Sequence, residues 1–273
     1  MPQPPTFLAS VVAVEGSTAT AKADHLAVEE PLEIRLAHGP ANDRRRAAVA
    51  VTMRTPGHDD ELAVGYLVTE GLLADVADVL GIVPIDVNVI RVDLKPGVRV
   101  NLDRLTRRGV VSSSCGVCGK TTLDAIETDT DVAIAPGPTV SATTIHTLPA
   151  KLLAAQPTFA ATGGLHAVGL FDANGHLVTL REDVGRHNAA DKLIGHEFLA
   201  GRFPLRDKIL FASARASFEL VQKAAVAGVS IFAAVGAPSS LAVQLAERFG
   251  LTLLGFVRDG RFNIYAGGGR IEI

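Results

Sequence analysis

A chain of 273 residues with 48% hydrophobic residues can fill one large core or two small ones. Its net charge of −3 offers no general attraction for nucleic acid or anionic lipid, so neither is expected as a partner. Trp is absent and aromatics make up 5%, so the core has to rest on Ala, Val, Leu and Ile, which suits an α/β protein. The start, Met1-Pro2-Gln3-Pro4-Pro5, has no basic segment ahead of a long apolar run. No stretch approaches the ~18 apolar residues of a membrane helix, so a cytoplasmic protein with reduced thiols is expected.

Residues 1–20 are rich in Pro, Ser, Thr and small residues and are expected to trail or pair loosely at an edge. An α/β lobe is expected over 21–110. Glu30 to Leu36 and Ala47 to Met53 read as strands, with Arg44-Arg45-Arg46 between them as a solvated loop rather than a phosphate site. Arg54-Thr55-Pro56-Gly57-His58 turns into a helix whose first turn holds Asp59, Asp60 and Glu61, where the helix dipole favours acids. That helix should stop at Gly71. Val87 to Leu94 alternates as a strand and is expected to pair with Val98 to Leu102 across Lys95-Pro96-Gly97.

A loop and connector are expected over 111–140. Ser112-Ser113-Ser114-Cys115-Gly116-Val117-Cys118-Gly119-Lys120 carries both cysteines of the chain. Small neighbours leave sulfur accessible, and nearby backbone N–H groups with Lys120 favour thiolate; a free Cys titrates near about 8.5 and falls to roughly 3.5–7.5 in such surroundings. A structural disulfide is disfavoured for a lone C-x-x-C without secretory features. Zinc would need about two further ligands from elsewhere, and no second C-x-x-C is present. A thioredoxin-like motif lacks its usual lead-in, and a phosphate loop would need Gly where Ser114 stands. A thiolate able to accept and pass on sulfur or an acyl group remains, with Cys115 and Cys118 as its candidates.

The last lobe, 141–273, opens with Ser141 as an N-cap and a helix to Gln156, broken or restarted at Pro149. Ala160 to His166 reads as a Gly-rich turn containing Gly163 and Gly164, then a strand from Ala167 to Asp172. Asn174-Gly175 makes a hairpin into Leu177 to Leu180. Arg181 to Asn188 concentrates charge before a helix ending at Gly201, and burying such a group is costly without a ligand or partner. From Lys208 the pattern is strand (209–212), helix (217–227), strand (229–235), helix to Phe249, strand (251–257). That βαβαβ order implies parallel strands, with ligands at their carboxyl ends. Those ends are Ser213 to Ser217, Gly236 to Ser239 and Arg258-Asp259-Gly260-Arg261. The first two open helices and the third holds two arginines, so an anionic ligand with phosphates is inferred; the bland alternative is ordinary helix capping.

These motifs together resemble the FdhD family of formate dehydrogenase accessory sulfurtransferases. The likeness rests on Arg54 to His58, Ser113 to Lys120, Thr162 to His166, Arg181 to Asn188, Ser217-Phe218-Glu219-Leu220-Val221-Gln222-Lys223 and Gly255-Phe256-Val257-Arg258, and covers nearly the whole chain. It implies a cytidine-deaminase-like α/β fold, a mixed sheet with flanking helices plus a smaller N-terminal α/β lobe, in a homodimer. It also implies sulfur transfer from a cysteine desulfurase, as a persulfide on Cys115 with Cys118 assisting. The acceptor would be a molybdenum (or tungsten) bis(molybdopterin guanine dinucleotide) cofactor, bound as substrate before insertion into formate dehydrogenase, and a GDP-like nucleotide would mimic it. The cofactor-binding residues would be Phe256, Val257, Arg258, Asp259, Gly260 and Arg261, joined by Gly163, Gly164, His166, Asp183, Arg186 and His187 and by Ser213, Arg215 and Ser217. Ala214 departs from the family's usual Gly between Ser213 and Arg215.

Deamination does not follow, because zinc deaminases need H-x-E and P-C-x-x-C, and Ser114 precedes Cys115. Two other functions compete. A binding module would escort the nucleotide cofactor without carrying sulfur, and a zinc hydrolase would contain stoichiometric metal.

Overall fold

In the computed structural model, residues 3–102 and 134–273 are described; the Cys115–Cys118 stretch lies outside them. Residues 6–27 correct the expected loose start. They form an antiparallel hairpin of β1 (Thr6–Glu15) and β2 (Thr18–Ala27), in unbroken register from Thr6↔Ala27 to Glu15↔Thr18. The overlooked signal is Gly16-Ser17, a two-residue turn between alternating runs, with Gly16 at φ +60°. Val11, Val12, Val14, Thr18 and Thr20 favour the extended chain on either side.

The next four strands form one sheet in the order β4-β3-β6-β5: β3 (Glu30–His38), β4 (Arg45–Arg54), β5 (Val79–Asp86) and β6 (Val89–Leu94). β6 runs parallel to β3 and antiparallel to β5. Val98 to Leu102 is not a strand; the partner of β6 precedes it in the chain. Pro84 hid β5 from pattern reading, yet a proline is tolerated there because β5 is an edge strand. Alternation buries Leu32, Ile34 and Leu36 of β3 with Ile90, Val92 and Leu94 of β6.

That buried face packs on α1 (Asp59–Thr69), which in turn packs on α4 (Arg186–Leu199). The two helices meet backbone to backbone. A Cβ on Gly65 would lie 1.8 Å from the Asp191 carbonyl oxygen, and one on Gly195 would lie 1.9 Å from that of Glu61.

Between them in sequence come β7 (Val140–Ser141), α2 (Ala142–Ala154) and α3 (Pro157–Thr162). Ser141 caps α2 as expected, its Oγ accepting from Thr144 N. Pro149 does not break that helix, which runs through it and ends at Ala154. The restart falls at Pro157, and Ala160 to Thr162, expected in a turn, are helical.

The larger sheet has six strands in the order β13-β12-β11-β10-β8-β9: β8 (His166–Phe171), β9 (Leu177–Asp183), β10 (Ile209–Ala212), β11 (Ile231–Ala234), β12 (Thr252–Arg258) and β13 (Arg261–Ala266). β10, β11 and β12 are parallel, as the βαβαβ pattern requires, while β8, β9 and β13 are antiparallel to their neighbours. The helices α5 (Phe218–Val226) and α6 (Ser240–Phe249) make the crossovers. They lie with α4 against the sheet face that carries Leu170, Leu210, Phe232 and Leu253. The other face, with Phe171, Phe211, Ile231 and Leu254, is covered by Ile145, Leu148 and Leu152 of α2. β14 (Ile271–Glu272) pairs with β7 beside α2.

One hydrophobic cluster runs from Leu32 to Ala266, so residues of the expected 21–110 and 141–273 lobes share a core. Among the described residues no helix is long and apolar enough to cross a membrane.

Candidate functional site

The strand directions bring most of the expected site residues to one edge of the six-stranded sheet. β10, β11 and β12 end there, and antiparallel β8 begins there, with Ala212 opposite Val168. β9 ends at the same edge, with Asp183 paired to His166. The loops that follow are sewn together by their backbones. Gly236 N donates to Ala214 O, Ala216 N to Ala237 O, Ser239 N to Ala216 O, and Phe256 N to Gly236 O, all at 3.0–3.1 Å. On the other side Ser213 N donates to Ala167 O, while Ala167 N donates to Ser213 Oγ. Gly236 permits this stitching, since a Cβ there would lie 2.9 Å from the Arg215 Cα.

Three helices start from these loops. Ser217 caps α5 and Ser239 caps α6, each accepting from the amide three residues on. The start of α4 has Gly185 at the N-cap position, with no side chain to cap it. Unsatisfied amides and the helix dipole favour an anion at such an end. Arg186 is the first residue of α4; it is half-buried, and its Nε is buried with no hydrogen-bond partner among the described residues. His166 beside it has its pKa lowered by burial and by the charge of Arg186, against a weaker opposing effect of Asp183, so the imidazole is neutral at neutral pH.

His187 sits lower, with Nε2 3.2 Å from Ser217 Oγ and 3.0 Å from a carboxylate oxygen of Glu219. Arg215 is exposed on the loop between β10 and α5. Gly163 ends α3 in the left-handed region at φ +66°, and with Gly164 it is exposed beside β2. Arg258, Asp259, Gly260 and Arg261 form the β12–β13 turn and are exposed. Arg258 and Arg261 are directly paired across it, which puts both side chains on one side of the ladder. Arg258 lies over the Phe256 ring, its Cζ 5.8 Å from the centroid, while Val257 points into the core.

Two of the expected residues, Asp183 and Val257, are interior. Asp183 is the centre of a buried polar cluster. It is fully buried, accepts from Thr55 N, Gly185 N and Asn188 Nδ2, and pairs with Lys192 Nζ at 2.7 Å. Val257 is likewise interior, because β12 is covered on both faces and reaches the surface only at Arg258. Both residues shape the site from below.

The motifs interlock beneath this edge. Thr55 receives Val184 N on its Oγ1 and Lys192 Nζ on its carbonyl, bolting the 54–58 turn to the 181–188 segment. Arg54, 1% exposed, grips Asp59 with two bonds of 2.9 Å at the start of α1. Glu61 accepts two bonds from Arg181 and one each from the Nδ1 atoms of His58 and His196. Burial alone would raise the Glu61 pKa, but the bonds from Arg181 and His58 outweigh it and hold the group at about 2. Lys223 of the 217–223 segment pairs with Asp191 and donates to Thr69. Pattern reading missed Glu61, Asp191, Lys192 and Lys223 as parts of this support. Their signal was polar side chains within helices that are otherwise buried all round. Among the described residues no group of His, Cys, Asp and Glu is placed to hold a metal.

The mixed α/β fold gathers helix starts and arginines at the carboxyl ends of its parallel strands, where open α/β sheets commonly take ligands. The same fold is found in the crystal structure described as that of a formate dehydrogenase accessory protein from Desulfotalea psychrophila. The TM-score is 0.75 at 24% identity, covering 98% of this chain and 100% of that one. Residues 27–272 match the model of the FdhD/NarQ family. The chain is 46% identical over 274 residues to the sulfur carrier protein FdhD of Streptomyces coelicolor, covering 96% of this chain and 94% of the relative. It is 48% identical over 264 residues to that of Mycolicibacterium paratuberculosis, covering 93% and 94%. The chain belongs to the FdhD/NarQ family.

Proposed function

We propose that the protein is a sulfur carrier that accepts persulfide sulfur from a cysteine desulfurase and delivers it to a guanine-dinucleotide molybdenum cofactor destined for formate dehydrogenase. The observation that carries this reading is near full-length similarity, at 46–48% identity, to sulfur carrier proteins in a chain whose cysteines are Cys115 and Cys118. Loading is an exchange of sulfane sulfur. The Cys115 thiolate attacks the terminal sulfur of the donor's Cys–S–SH, the donor S–S bond breaks, and the donor cysteine leaves as thiolate. Cys115 then holds –S–SH and no net oxidation has occurred. Cys118 stands three residues away in sequence as a second thiol able to assist the release.

The cradle at the sheet edge supports the nucleotide half of this reading. Arg258 and Arg261, paired across their turn, and Arg186 beside the uncapped start of α4 bring three guanidinium groups to the edge where β10, β11 and β12 end. Like charges opposite each other in a ladder are unfavourable in isolation and are relieved by a bound anion. A diphosphate fits that chemistry, and the neutral His166 can hydrogen-bond a nucleobase or phosphate without adding charge. A homodimeric, cytoplasmic protein belongs to the same proposal.

Intact-mass measurement after incubation with a cysteine desulfurase and cysteine tests it. One added sulfur, removable by dithiothreitol and lost in Cys115→Ser, is expected; a wild-type protein that gains no sulfur would instead be an escort for the cofactor.

A further inference from the structure

A sheet face that meets water is ordinarily polar, yet the outer face of the β4-β3-β6-β5 sheet is half apolar. Register places Val51 opposite Glu33 and Met53 opposite Pro31, away from the core, and both are nearly half exposed, at 48% and 47%. On the same face Arg35 of β3 stands directly opposite Arg91 of β6. Each is held side-on by a carboxylate of its own strand. Arg35 gives Nε and Nη2 to Glu33 at 2.9 Å, and Arg91 gives the same atoms to Asp93 at 2.5 and 3.0 Å. The Nη1 groups of both have no hydrogen-bond partner among the described residues. Arg46 joins them from β4, exposed and without a partner among the described residues. The three arginines, with Glu33, Ala47, Ala48 and Ile85, line an open groove of about 300 Å³, in which Glu33 is already engaged by Arg35.

Arginine and methionine among aliphatic residues, with no lysine in any of the four strands, is the composition of a protein–protein contact rather than of a solvated face. A second copy of the chain is a poor occupant, because a twofold contact centred here would set the arginine row against itself. We propose that this face docks an acidic, partly apolar segment of a partner protein. One carboxylate of that segment bridges the Nη1 groups of Arg35 and Arg91, a second meets Arg46, and its apolar side chains lie on Val51 and Met53. The proposal does not rest on the sulfur-carrier reading.

Fluorescence anisotropy of the full chain with a fluorescein-labelled 12-residue peptide alternating Glu and Leu, and with its Lys-for-Glu counterpart, tests this. The acidic peptide alone should bind, and more weakly as salt is raised. Arg46→Glu and Val51→Asp should each weaken it by about tenfold or more with thermal unfolding unchanged. Failure of the acidic peptide to bind the wild-type chain, or equal binding to wild type and Arg46→Glu, overturns the proposal. So does binding of phosphatidylserine vesicles without binding of the peptide, or self-association in sedimentation that Arg46→Glu abolishes; these assign the face to lipid or to a second copy.

Discussion

Arg258 and Arg261 are cross-strand partners on the same side of a two-residue turn, placed to converge on a single diphosphate. Charge-assisted hydrogen bonds contribute about 1.5–3 kcal/mol each, so Arg258→Ala and Arg261→Ala should each weaken GDP binding by roughly ten- to a hundredfold in calorimetric titration. Affinity unchanged from wild type in both variants would move the phosphates to Arg186 and the start of α4. Glu61 carries a different consequence. Its pKa, lowered from 4.5 to about 2, makes it a source of stability that is complete above about pH 4.5 and lost as pH falls toward 2. Glu61→Gln should therefore cost of order 2–3 kcal/mol at pH 7, and the gap to wild type should close through that acid window. Denaturant unfolding at a series of pH values checks both the size and the direction. His187, Asp183 and Thr55 show why site residues are hard to assign from sequence. A motif records that a polar side chain is required, and burial decides whether it meets a ligand or a neighbour: Asp183 meets four donors and has no room for another.

Among the elements, α1 and α4 depend on each other most directly. With Cβ positions at 1.8 and 1.9 Å from backbone oxygens, Gly65→Ala or Gly195→Ala must push the helices apart. The expected loss is about 3 kcal/mol, or a fall in Tm of roughly 6–12 °C by calorimetry, whereas the same change at Gly81, where a Cβ meets nothing within 4 Å, should be nearly silent. The elements that could be read in the sequence were those whose pattern is local. β3, β4, β6 and the whole β10 to β12 alternation fall where periodicity and caps put them, within a residue or two. Those that could not were settled by partners far away in the chain. Val98 to Leu102 has strand composition, but β5 takes the place beside β6; Pro149 stays helical because α2 is held against the sheet through Ile145, Leu148 and Leu152. The helical character of 160–162 was hidden in the same way, since the start of α3 is capped from β9, where Glu182 accepts from Thr158 N and Phe159 N.

Across the whole molecule, the layers run from small sheet through α1, α4 and α5 to the large sheet and α2, and the polar network of Thr55, Asp183, Lys192, Asp191 and Lys223 lies within the helical layer under the site edge. The position of the candidate edge was legible, because the βαβαβ order brings the loops after β10, β11 and β12 to one end of the sheet, where open α/β sheets commonly take ligands. Its support was not, because no spacing rule relates Thr55 to Asp183 or Thr69 to Lys223. The Gly65–Gly195 contact has a consequence during synthesis as well. Its two halves are separated by about 130 residues, so a ribosome adding 5–20 residues per second leaves α1 without its partner for on the order of ten seconds. For that interval the flank of α1 that carries Gly65 and Val68 is open to whatever else is nearby, and a nascent-chain chaperone would find it there first.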